Sequence, residues 1–164
     1  MALSASAAWW FLLIAVPVGL WVAYTDLSRM KITNAAVVTL FLGYVVLGFI
    51  ALPREAYLWG YVHLVVVLVI GIALNAVGAV GAGDAKFAAA AAPMVATADI
   101  APLLYLFSLC LVLGWAIHRI ARITPLRRLA PDWASWTSGR RFPMGLPLAM
   151  TLIGYLALAA HRGL

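Results

Sequence analysis

The chain is poor in charge, in thiols and in imidazole. Only 10% of its 164 residues are Asp, Glu, Lys or Arg, against roughly 25% in soluble domains, which excludes an ordinary water-soluble globule. A single cysteine, Cys110 in an apolar run, excludes an internal disulfide and a cysteine-based metal cluster. The three histidines (His63, His118, His161) are scattered. The opening MALSASAAWW has no Lys or Arg. It therefore lacks the charged start of a secretory signal peptide, and the first apolar segment is expected to stay in the membrane. Acids are scarcest of all: Asp26, Glu55, Asp84, Asp99 and Asp132 stand against eleven Lys and Arg, for a net charge of +6.

What fills the chain instead is apolar. At 66% hydrophobic and a mean hydropathy of +1.07, the sequence predicts an all-α polytopic membrane protein. About 20 apolar residues cross a bilayer core, and six spans are expected, over residues 7–25, 34–52, 57–78, 85–98, 101–120 and 143–161. The fourth is short, alanine-rich and interrupted by Pro93, and it reads as a tilted or partly interfacial helix. With both termini outside, Arg29, Lys31, Lys86, Arg119, Arg122, Arg127, Arg128, Arg140 and Arg141 fall on the cytoplasmic side and only Arg54 and Arg162 on the other. That is the asymmetry of the positive-inside rule. Topology and anionic lipid head groups then account for the basic balance, and no nucleic-acid partner is called for. No repeat, linker or second domain interrupts residues 1–164. The hydrophilic residues 121–142 form a basic cytoplasmic loop, and its Trp133 and Trp136 suit a membrane interface.

Under this map Asp26, in YTDLSRMKITN (24–34), and Asp84, in GAGDAKF (81–87), lie at similar depth on one side. An acid at such a depth is expensive and points to function. Asp84 at a helix start is also a natural partner for exposed backbone N–H groups. Asp26 sits at a helix C-terminus, where negative charge is disfavoured, so something else has to hold it: Arg29, or a second carboxyl group. Two carboxyl groups at hydrogen-bonding distance share a proton. One then takes a proton from water while the other donates to a carbonyl oxygen, with no metal or other cofactor. A nucleophilic triad finds no support, because His63 and His161 fall on the far side and His118 has no evident serine partner. Gly81 and Gly83 allow a sharp turn and a close backbone approach beside Asp84. Lys86 is two residues past Asp84 and does not face it on a helix; it reads as a head-group anchor. Asn75 reads as an interhelical hydrogen-bonder, and Asp132 as a solvated loop acid.

GAGDAK at 81–86 resembles the GxGD signature of intramembrane aspartyl peptidases, specifically the type IV prepilin peptidase family. Asp26, with Ile32 and Asn34 downstream in DLSRMKITN, is similar to that family's first motif, with Thr33 in place of its proline. Pro143 and Gly145 in FPMGLPLA (142–149) resemble its Pro-x-Gly near the last helix. The resemblance implies that Asp26 and Asp84 are the catalytic pair, with Gly81, Gly83, Lys86, Asn34, Pro143 and Gly145 as motif or substrate-positioning residues. It also implies a bacterial inner-membrane enzyme that removes the short basic leader of prepilin or pseudopilin substrates at the cytoplasmic face. The cysteine-bearing N-terminal segment of the methylating members has no counterpart here, so N-methylation is not expected. The compact form is similar to the peptidases of Flp pili of the tight-adherence type. Two other classes fit the residues: a small proton- or cation-coupled transporter, and a non-catalytic pilus or secretion assembly subunit.

Overall fold

The computed structural model describes residues 1–139 and 141–162. Arg140, one of the cations expected on the basic side, lies outside the described residues, as do Gly163 and Leu164. The described chain is all helical: α1 (Ala5–Arg29), α2 (Asn34–Ala51), α3 (Arg54–Ala76), α4 (Ala82–Ala91), α5 (Ile100–Ile123) and α6 (Gly145–His161), with no strand among the described residues. Four helical stretches are long and apolar enough to cross a membrane: α1, α2, α3 and Thr97–Ile123, in which a 3₁₀ turn runs on into α5. The other two helices are shorter. Helix α6 has 17 residues, while α4 has only ten and is about 15 Å long.

The helix ends are written in local chemistry. Ser4 caps α1, its hydroxyl accepting the Ala7 N–H at 3.3 Å. The helix stops at Met30, which takes a left-handed conformation with φ 52° and donates its N–H to the Asp26 carbonyl at 2.8 Å. Three residues later Thr33 caps α2 by accepting the Ala36 N–H at 3.3 Å. The residue standing where the resembled motif has proline therefore has a local function of its own. Pro53 then separates α2 from α3. At the end of α3, the Gly78 N–H bonds to the Asn75 carbonyl and the Ala79 N–H to that of Leu74, both at 2.9 Å. This is a Schellman cap, and it requires the positive φ of 75° that Gly78 adopts. Asn75 does not bridge helices: its side-chain amide donates to the Val80 carbonyl at 2.8 Å and stitches the turn leading into α4. Pro93 ends α4 in a 3₁₀ turn, Ala92–Met94.

Helix α1 is the centre of the bundle. It packs most extensively on α6 and also on α2, while α4 lies against α3 and α2 and touches α6. Phe11, Leu40, Tyr44, Phe87, Met94, Tyr155 and Leu156 fill the core. Helices α3 and α5 flank it and expose long apolar faces, such as Val65, Val69 and Ile72 on one and Leu109, Val112 and Ile120 on the other. Apolar faces of this extent suit lipid rather than water. The alternation of helices gathers the 30–33, 77–81 and 124–144 connections at one end, the basic end.

Candidate active site at the basic end

Asp26 lies in the last turn of α1 and is only 5% exposed. Its partner is neither Arg29 nor a second carboxyl group. The Gly145 N–H donates to its Oδ2 at 2.6 Å across 119 residues of sequence. Gly145 is the first residue of α6, so the carboxylate that α1's own dipole disfavours sits against the positive end of another helix. A Cβ at Gly145 would come within 2.9 Å of both Cβ and Oδ2 of Asp26. Only a residue without a side chain lets α6 approach this closely. Pro143, two residues earlier, is fully buried and makes no recorded hydrogen bond to either acid.

Asp84 is the third residue of α4, not a residue preceding it, with Gly81 in the N-cap position. In this position a carboxylate reaches back to the cap's own N–H, half of a capping box. A Cβ on Gly81 would stand 2.5 Å from Asp84 Oδ2. Asp84 is half-buried and lies outside the four stretches long enough to cross a membrane. Burial first, and then the Asp26 charge, push its carboxyl up to about 6, with the Gly81 N–H acting the other way. The two acids therefore sense each other electrostatically although 58 residues (84 − 26) separate them.

The flanking motif residues meet in pairs. Gly83 lies against Ile32, where a Cβ would stand 3.2 Å from the Ile32 Cβ; the turn after Asp26 thus seats on the first turn of α4. Lys86 points away from Asp84, and its Nζ donates to Asn34 Oδ1 at 3.3 Å on the exposed surface. Arg29, exposed, lines a cavity of about 550 Å³ between the end of α1 and the loop, together with Tyr24, Ser28, Asp132 and Trp133. Asp132 is exposed there, as expected of a loop acid.

Two features escaped the sequence reading. His118 is buried and stacked on Trp136, and its Nε2 has no hydrogen-bond partner; nothing in the linear order aligns these rings. At the opposite end of the bundle, Asp99 is buried and accepts from the Ala2 N–H at 2.7 and 2.8 Å, the Leu3 N–H at 3.2 Å and the Tyr155 hydroxyl at 2.9 Å. Compared with family models, with curated proteins and with solved structures, the chain matches none.

Proposed function

We propose that this chain is a membrane-embedded aspartyl endopeptidase that removes the short basic leader from prepilin-like substrates, with Asp26 and Asp84 as the catalytic pair. The observation that carries the reading is geometric: the turn after Asp26 seats on the first turn of α4 through Ile32 against Gly83, which holds both acids at the basic end, near enough for the charge of Asp26 to act on Asp84. In the proposed reaction the pair holds one proton. The ionised carboxylate takes a proton from water as the water oxygen bonds to the scissile carbonyl carbon, and the protonated carboxyl donates to the carbonyl oxygen. Collapse breaks the C–N bond: the departing amine takes up the proton gained from water, and a hydroxyl of the tetrahedral intermediate returns its proton to the other carboxylate as the new carbonyl forms, which restores the singly protonated pair. The Gly145 N–H, fixed on Asp26 Oδ2, orients that carboxylate.

In this proposal all six helices lie in a bacterial inner membrane with the basic end cytoplasmic and both termini outside. The Lys and Arg side chains there contact anionic head groups. The test is co-expression with small prepilins and mass determination of the pilin N-terminus. Leader loss with the wild type, absent in Asp26→Asn and Asp84→Asn, is the expected result. Cleavage retained in both variants, or none by a well-inserted wild type across several prepilins, would end the reading.

A further inference from the structure

Among its described residues, the chain between α5 and α6 carries only two 3₁₀ turns, Pro125–Leu129 and Ala134–Trp136. A connection of this length ordinarily moves, yet it delivers the N–H that bonds Asp26 at 2.6 Å. Five aromatic rings link it to α1 and α5. Tyr24 of α1 meets Trp133 edge-on at 6.2 Å. Trp133 stacks on Trp136 at 5.6 Å, and Trp136 stacks on His118 of α5 at 5.1 Å. His118 then meets Phe142 edge-on at 5.8 Å. These are the offset and edge-to-face geometries that aromatic quadrupoles favour. The Trp136 indole N–H also donates to the Ala130 carbonyl at 2.7 Å, closing the loop on itself.

The ladder starts two residues before Asp26 and ends three before Gly145. It therefore forms a closed circuit with the Asp26–Gly145 hydrogen bond: α1, the rings, the Pro143 turn, and back. His118 takes part through its ring face, because its buried Nε2 has no hydrogen-bond partner. We infer that His118 and Trp136 are positioning residues, holding the 124–144 loop so that the Gly145 N–H stays aimed at the Asp26 carboxylate. The catalytic consequence rests on the peptidase reading; the geometric claim does not.

The two are tested separately. In protein labelled with ¹⁵N-glycine, the Gly145 amide proton, assigned by its loss in Gly145→Ala, is expected well downfield and to move upfield in Asp26→Asn. Trp136→Ala and His118→Ala should move it upfield by at least half as much, and His118→Phe, which keeps a ring, should leave it in place. An unmoved amide in both alanine variants, with the other glycine signals dispersed as in the wild type, overturns the inference. So does His118→Phe moving it as far as His118→Ala, since the imidazole nitrogens would then carry the effect. If the alanine variants do not fold, Trp133→Ala cuts the ladder at a half-buried rung and should still shift the signal; no shift there also overturns the inference. In the cleavage assay Trp136→Ala should lower kcat about 10- to 100-fold with KM within about twofold. A wild type that cleaves nothing removes the peptidase reading and leaves the amide shifts to decide the positioning role.

Discussion

Gly145 has no side chain to lose, so its importance shows only when one is added. In Gly145→Ala the new Cβ would press on Asp26 Cβ and Oδ2 from 2.9 Å and force the carboxylate or α6 to move. A shift on the order of 1 Å at a catalytic group costs roughly 100-fold in rate. Under the proposed peptidase reading, cleavage by Gly145→Ala is therefore expected to fall about that far while its circular dichroism stays helical. Asp84 offers a second test. Burial and the Asp26 charge hold its carboxyl up at about 6, so Asp26→Asn, which removes that charge, should let Asp84 titrate lower, as followed by carboxyl ¹³C shifts. The sign for stability follows from proton binding. Between 3.8, the ordinary value, and about 6 the native state holds more of the Asp84 proton than the unfolded state, and stability falls as pH rises through that window. Asp84→Asn should accordingly gain in melting temperature over the wild type at pH 7.5 and gain less at pH 4.5. Both acids were legible in the sequence because an acid in so apolar a chain is conspicuous. The N–H that holds Asp26 was not, because it arrives from 119 residues away and a backbone donor has no signature in composition.

Helix ends were less legible than helix interiors. The apolar runs predict all six helices, and α1, α2, α3, α5 and α6 begin and end within a few residues of the expected spans. Helix α4 differs because Asp84 serves its first turn from inside, so the helix starts at Ala82 rather than 85, and Pro93 cuts it short. Asn75 fills a turn rather than a helix interface because the Schellman geometry at Gly78 brings the Val80 carbonyl back to it. Met30 is the one non-glycine residue with positive φ among the described residues. The left-handed conformation costs an ordinary residue roughly 1 kcal/mol relative to glycine. Met30→Gly is therefore expected to raise the unfolding free energy by about 1 kcal/mol at most, measured by thermal or denaturant unfolding in detergent.

At the scale of the molecule, the two ends of the bundle are held by different means. The basic end is organised around Asp26 and Asp84, the opposite end around Asp99, whose carboxylate joins the first residues of the chain to Tyr155 of α6 at the start of α5. Asp99→Ala leaves two backbone N–H groups and a buried tyrosine hydroxyl without that acceptor, at a cost of about 2 kcal/mol or more. The melting temperature should drop, while under the peptidase reading cleavage measured well below it stays near the wild-type rate, because the loss is remote from the basic end. Counting acids could not distinguish Asp99 from the others, since its partners are main-chain groups brought in by tertiary packing. The glycine contacts around Asp26 and Asp84 have a further consequence for how this protein can change. With Gly81 and Gly145 bounding the carboxylates, a side chain added at either position can only press on Asp84 or Asp26. Under the peptidase reading, variation that changes which leader is accepted belongs instead to the cavity wall contributed by the last turn of α1 and residues 129–133, and a library aimed at redirecting the protein is best placed there.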